Sequence, residues 1–246
     1  MPNMTARSVV LSVLLGAHPA CASASELIRL TADFGIKETT LRVALTRMVS
    51  AGDLIRSADG YRLSNRLLVR QRRQDDAIGP RTRPWRGDWL VVIVTRVGTD
   101  ARSRAALRSA MHDKRFGELR EGVWMRPDNL ELDLGPDVTT RVRALRARDE
   151  APAQLAGQLW DLPAWAGTGH RLLDEMAAAT DVPGRFVAAA ATVRHLLTDP
   201  MLPAELLPVD WPGARLRAAY HAFAAELAQR RDVVEHKDGT QLLEAT

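Results

Sequence analysis

"TARSVVLSVLLGAHPACASA", residues 5–24, is the stretch whose reading decides the fold. A charge at Arg7, an apolar run from Val9 to Ala17 and the small residues Ala20-Cys21-Ala22-Ser23-Ala24 are the three parts of a secretory leader. The same residues also suit the first helix of a folded domain. Val9, Val10, Val13 and Leu14, joined by Leu11, form a broad apolar stripe of helical spacing. One reading exports the protein and discards the segment; the other buries it.

The next forty residues choose between them. Ser25 and Glu26 suit the start of a second helix carrying Leu27, Leu30 and Phe34, and Gly35 supplies the turn between paired helices. A third helix is predicted from about Lys37 to Ala51, with Leu41, Leu45, Met48 and Val49 on one face. Its other face carries Lys37, Thr39, Thr40, Arg42, Thr46 and Arg47, and Gly52 ends it. "DLIRSADGYRL" (53–63) is predicted as a hairpin turning at Ala58-Asp59-Gly60, with Arg56 and Arg62 alternating against Leu54, Tyr61 and Leu63. Helix, helix-turn-helix and basic hairpin in this order make a winged helix-turn-helix. Its three-helix core needs a helix before the pair, and only residues 5–17 can supply one. Cleavage near Ala22 or Ala24 would cost several kcal/mol of buried apolar surface, at about 25 cal/mol per Å². Export is therefore rejected.

Charge agrees with this placement. Residues 1–86 hold 14 Lys and Arg against 7 Asp and Glu, while the remainder holds 20 against 23. A basic head on a mildly acidic body suits phosphate binding. In a major groove the Lys37–Ala51 helix would meet base edges with its N-terminal residues, while Arg56 and Arg62 touch phosphates or the minor groove. The apolar fraction of 46% and charged fraction of 26% fit a globular, ordered chain of 246 residues, and no apolar run is long enough to span a bilayer. Cys21 is the single cysteine, so no internal disulfide or multi-thiolate zinc site is available; it falls in a predicted turn.

The basic stretch "SNRLLVRQRRQDDAIGPRTRPW" (64–85) is predicted as a linker with a short helix broken at Gly79-Pro80. All six tryptophans lie at or after Trp85, where a second unit begins. "DWLVVIVTR" (88–96) is a buried strand, and "TDARSRAALRSAMHDKRF" (99–116) a helix capped by Thr99 or Asp100. "GELREGVWMRPDN" (117–129) returns as one or two strands, and "TTRVRALRAR" (139–148) is the last strand. Strand-helix-strand-strand-strand predicts a small ferredoxin-like domain. The last third is helical, with a proline-studded connector between two amphipathic helices. The boundaries are 1–66 for the winged helix, 67–84 for the linker, 85–150 for the ferredoxin-like domain and 151–246 for a helical C-terminal effector and dimerisation domain. The fold class is α+β.

Enzyme chemistry finds little support. The six histidines are scattered without metal-ligand spacing, Ser103 and Ser109 lack a nucleophile elbow, and no glycine-rich phosphate loop is present. The alternative is a metal-dependent nucleic-acid-cleaving enzyme built on Asp88 at the head of the first strand, a lone carboxylate without a paired acid nearby. No cofactor, metal or catalytic residue is expected.

Several stretches carry a family resemblance: "TLRVALTRMVSAGDL" (40–54) with "GYRLS" (60–64), "GELREGVWMRP" (117–127), "LWDL" (159–162) and above all "DPMLPAELLPVDWPG" (199–213). Together they resemble the PaaX-type regulators, named for the repressor of bacterial phenylacetic acid degradation, from about Ala6 to Arg230. The resemblance implies a cytoplasmic homodimer on a palindromic operator in double-stranded DNA, released by an acyl-coenzyme A derived from an aromatic acid. The stretch "RFVAAAATVRHLL" (185–197) departs from the family in being alanine-rich. It keeps Arg194 and His195, suited to phosphate, as candidate effector-binding residues. The expected function is a transcriptional regulator, most simply a repressor of an aromatic-acid or related catabolic operon.

Overall fold

The computed structural model describes residues 4–96 and 100–243, with side chains through residue 230. The first elements are α1 (Ala6–Gly16), β1 (Cys21–Ala22), α2 (Ala24–Ala32), α3 (Glu38–Ser50), β2 (Leu54–Ser57), β3 (Gly60–Leu63) and α4 (Asn65–Ile78). Next come β4 (Trp89–Val94), α5 (Ala101–Asp113), β5 (Gly117–Arg120), β6 (Val123–Pro127), α6 (Pro136–Thr139) and β7 (Val142–Ala147). The chain closes with α7 (Pro152–Leu159), α8 (Leu162–Ala178), α9 (Val182–Leu196), a 3-10 turn at Ala204–Leu206 and α10 (Gly213–Leu243). Two compact units result. The first holds the chain up to Ile78, Arg171–Leu197 and the residues from Arg215 onward; the second holds Gly79–His170 and Thr198–Ala214.

In the first unit the opening segment is core. The Thr5 hydroxyl accepts from the Ser8 amide at 3.2 Å and starts α1, whose Val9, Val10 and Leu14 are wholly buried against Leu27, Leu41, Leu45 and Met48. The other end of α1 is closed from a distance. Gln71 of α4 is buried, and its amide donates to the carbonyls of Leu14, Leu15 and Ala17, the nearest at 2.8 Å. Orphan carbonyls at a helix end need such partners when water is excluded. The helix expected in the basic linker forms over residues 65–78 and belongs to this unit, with Leu67, Gln74 and Ala77 also buried.

Two local expectations are corrected. The cap of α2 is Ser23, whose hydroxyl accepts from the Glu26 amide at 3.1 Å while its own amide donates to the Glu26 carboxylate at 3.3 Å. This reciprocal box satisfies two orphan donors at once, which Ser25 does not. Cys21 lies in a strand and not in a turn: β1 pairs antiparallel with β3, Cys21 opposite Arg62 and Ala22 opposite Tyr61. The hairpin is therefore the larger part of a three-stranded sheet of order β1-β3-β2. Against this head pack α9 and the start of α10, through Phe34 on Phe186 (ring centroids 5.1 Å) and Phe186 on Phe223 (5.9 Å).

The second unit is ferredoxin-like. Its sheet has the order β5-β6-β4-β7 with every neighbouring pair antiparallel, as a split β-α-β repeat requires. Side chains alternate across it. Val92 and Trp124 meet Leu107 and Met111 of α5 on one face, and Trp89 and Met125 meet Leu155, Ala156, Leu202 and Leu206 on the other. Asp100 caps α5 by accepting from the Ser103 amide at 2.7 Å; Thr99, the alternative cap, lies outside the described residues. The proline-rich strap is held by buried polar groups. The Asp199 carboxylate accepts from the Met201 amide at 2.9 Å, and Asn129 donates to the Met201 carbonyl at 3.0 Å. Trp165 stacks on Trp211 at 4.3 Å. Residues 151–246, grouped by sequence as one C-terminal domain, are shared between the two units, because α9 buries Phe186 with the head while the strap buries Leu202 and Leu206 under the β-sheet.

Candidate nucleic-acid interface

The α3 helix presents one stripe inward and the rest to solvent. Leu41, Leu45 and Met48 are buried at helical spacing, so Thr39, Thr40, Arg42, Thr46 and Arg47 all emerge on the exposed side. Lys37, also exposed, is the N-cap, with no side-chain cap bond. The six residues predicted from sequence on this helix are thus brought together. Their charges are not equivalent. Arg42 donates to the Glu38 carboxylate at 2.8 and 2.5 Å, an i, i+4 exposed pair of about 0.3–0.5 kcal/mol. Among the described residues no acid is paired with Lys37, Arg47, Arg56 or Arg62.

The wing presents its two arginines on different faces. Register puts Arg56 opposite Tyr61 and Arg62 opposite Ile55, so they leave the ribbon on opposite faces. The wing is pinned at Gly60, where φ is +135° and an added Cβ would lie 2.3 Å from the Ala22 carbonyl oxygen. Gly60→Ala is expected to cost about 1–3 kcal/mol and detach β1 from β3. Amide exchange at Cys21–Ala22 and Tyr61–Leu63 should rise about tenfold or more; unchanged protection would show that the close approach is not rigid.

Sequence reasoning missed the residues that aim the helix. Asp53, two residues past the C-cap of α3, is buried and accepts from Arg7 of α1 at 2.8 Å and from Arg66 at the start of α4. One carboxylate so ties α1 and α4 to the end of α3, at the edge of its exposed face. Thr5, Arg7, Thr39, Thr40, Val43 and Arg47 border a shallow groove of about 740 Å³ on the outward side of α3. Val43 stands 50% exposed within it. The signal available in sequence was an aliphatic residue outside the Leu41/Leu45/Met48 stripe.

A second concavity, of about 540 Å³, lies in the same unit between the end of α1, β1 and α2 on one side and α9 and α10 on the other. Arg29, Arg70 and Arg194 line it, with the aromatic rings of Phe186, Tyr220 and Phe223. Burial, with the charge of Asp75, pushes the Tyr220 hydroxyl above its ordinary range, so it stays a neutral donor at pH 7. Of the two effector candidates only Arg194 faces this space. His195, partly buried, points elsewhere on α9 because adjacent helical residues diverge by about 100°.

In the second unit, Asp88 accepts from Arg148 at 2.7 Å, and this bond holds its carboxyl below the usual range. Asp128 is likewise held low, since the bonds from Arg146 (2.7 Å) and Arg83 outweigh a burial effect that alone would raise it. Both carboxylates are committed to guanidinium groups. Among the described residues no three His, Cys, Asp or Glu side chains cluster as a metal site, and no helix is long and apolar enough to cross a membrane.

Comparison with known proteins follows this geometry along the chain. Residues 5–67 match the model of a PaaX-like protein, 82–153 that of the PaaX protein central Cas2-like domain, and 164–234 that of the PaaX-like protein C-terminal domain. The comparison with curated proteins returns no match. A solved structure, uncharacterized protein Rv0674 from Mycobacterium tuberculosis, is 78% identical, covers 94% of this chain and 99% of its own, and superposes with a TM-score of 0.85. With all three of its parts matched in order, from the buried α1 to residue 234 within α10, the chain belongs to the PaaX-like family.

Proposed function

We propose that the protein is a DNA-binding transcriptional regulator, a cytoplasmic homodimer that represses an aromatic-acid or related catabolic operon. Membership of the PaaX-like family points to transcriptional regulation in general. The observation that carries the reading is the solvent face of α3, where Thr39, Thr40, Thr46 and Arg47 stand exposed on a helix whose end is held by the Asp53 bonds to Arg7 and Arg66. Phosphate contacts from Lys37, Arg56 and Arg62 supply salt-dependent affinity, and α3 adds sequence selection. A two-fold dimer would set two such helices on half-sites about one or more helical turns apart, hence a palindromic operator.

The effector, an acyl-coenzyme A type ligand, is assigned to the cavity lined by Arg194. Its volume lies in the range of small-molecule sites, with aromatic walls for an acyl group and guanidinium groups for phosphate. Release follows if the ligand prefers the arrangement that cannot bind DNA.

The test is gel retention of the full chain on its own upstream DNA. Arg42→Ala with Arg47→Ala is expected to weaken retention about 10- to 100-fold and to flatten the salt dependence by up to about four counterions, two per protomer of the dimer. Arg47 should carry more of the loss, since Arg42 must first leave Glu38. Unchanged retention would point to a winged helix that touches protein instead. In the same gels an acyl-coenzyme A thioester that frees the DNA should be needed at about tenfold higher concentration for Arg194→Ala.

A further inference from the structure

The observation concerns Val43. Its neighbours on α3 divide cleanly: Leu41, Leu45 and Met48 fill the core, while Thr39, Thr40 and Arg47 face solvent. Val43 is aliphatic and β-branched, yet half exposed on the solvent side, at i+4 from Thr39, i+3 from Thr40 and i−4 from Arg47. Stability does not account for it. A β-branched residue on an exposed helix face loses side-chain freedom relative to Ala, and a side chain left half exposed recovers only part of that by burial.

The groove around Val43 has an apolar floor and a polar rim. Ala6, Ala44, Met48 and Ala51 line it below, and Thr5, Thr39, Thr40 and Arg47 border it. Arg7 and Asp53 also line this groove at one edge but are paired with each other at 2.8 Å, so the part around Val43 is apolar, while among the described residues Lys37 and Arg47 have no acid partner. The floor is fixed on three sides: by the Thr5 cap of α1, by the Asp53 bonds to Arg7 and Arg66, and by the packing of Met48.

An apolar spot ringed by hydroxyls and a guanidinium has a specific counterpart in a DNA major groove. Among the four base pairs, the C5 methyl of thymine is the aliphatic feature that base edges present there. Hydroxyls and arginine suit the flanking acceptors and phosphates, and the cations at either end suit the backbone. The geometry points to Val43 as the specificity-determining residue that reads a thymine methyl in each half-site. This inference rests on the DNA-binding reading above and deepens it, by naming the base feature that α3 selects.

The experiment begins with the full-length protein selecting duplexes from a random pool. Retention is then measured for wild type and Val43→Ala on the selected duplex, and on copies in which one thymidine per half-site is replaced by deoxyuridine. Deoxyuridine differs only in lacking the methyl. At one position the replacement, which removes a methyl from each half-site, should weaken wild type about 15-fold, the loss expected for two buried methyls at about 0.8 kcal/mol each. Val43→Ala should show a similar loss on the unmodified duplex and no further loss on the deoxyuridine copy at that position. Val43→Ile should keep discrimination between the two copies. If wild type is indifferent to every deoxyuridine, or if Val43→Ala still responds as wild type does, the methyl contact is overturned while DNA binding stands. A wild type that retains no duplex removes both. Because Val43 is half exposed, the variants are expected to fold, and an unchanged far-UV spectrum confirms it.

Discussion

Arg126→Met is expected to lower the unfolding free energy of the second unit by about 3–5 kcal/mol. Arg126 is 1% exposed on β6 and, among the described residues, no carboxylate is bonded to it; its guanidinium donates to the carbonyls of Pro127 (3.0 Å) and Lys114 (3.0 Å) and to the Asn129 side-chain oxygen (2.9 Å). Asn129 in turn donates to the Met201 carbonyl, so one cation links the end of α5, the sheet and the strap. Burial, followed by the charge of Arg115, pushes the group down to about 9, which leaves it charged at pH 7. A base depressed on folding binds its proton more tightly in the unfolded chain. The desolvation cost is therefore fully present below pH about 9 and recedes as pH rises toward the unfolded value. Methionine would remove that cost but strand three buried acceptors, and the orphans dominate. Arg126→Lys, with an ammonium too short to reach all three, should fall between. All six tryptophans lie in the second unit, so their fluorescence during urea unfolding reads the effect directly. A midpoint equal to that of wild type would show the network to be dispensable.

Leu14→Ala should cost the first unit about 2–5 kcal/mol, the range for a leucine deleted from a packed interior. Leu14 is wholly buried in the cluster with Leu27, Leu41 and Leu45, and its carbonyl is one of those closed by Gln71. A single domain has about 5–15 kcal/mol of stability in all, so the variant should lose DNA retention on warming well before wild type does. Hydrogen exchange over Ala6–Gly16 is the local readout. Leu14→Met, which keeps volume, is expected to cost less than about 1.5 kcal/mol. Equal losses from the two substitutions would mean that polarity or backbone, and not packing, sets the stability of α1.

How much was legible in the sequence depended on the range of the interaction. The α3 stripe at Leu41, Leu45 and Met48 lies within three turns of helix, and the hairpin at Ala58-Asp59 within a few residues, so local periodicity revealed both. The ferredoxin-like order followed from strand and helix lengths together. What periodicity hid were polar side chains inside the fold. Gln71 reads as one more polar residue in a basic run, yet it closes a helix more than fifty positions earlier. Asp53 reads as a surface acid beside a turn, and Arg126 as an ordinary strand cation. Their roles come from partners distant in sequence or from exclusion of water, neither of which leaves a repeating pattern nearby.

By itself, then, the sequence determined that residues 5–17 are a buried helix, that α3 shows a basic and hydroxylated face outward, and that a β-rich unit follows the basic stretch, although the second unit opens at Gly79, ahead of Trp85. Those follow from the balance of apolar burial against solvation along each segment. Only the tertiary structure decided that residues 151–246 divide between two units, that Arg56 and Arg62 leave opposite faces of the wing, and that Arg194 and not His195 faces a cavity. These depend on strand register, helix rotation and long-range packing, where one residue of phase turns a side chain from a site to its far side.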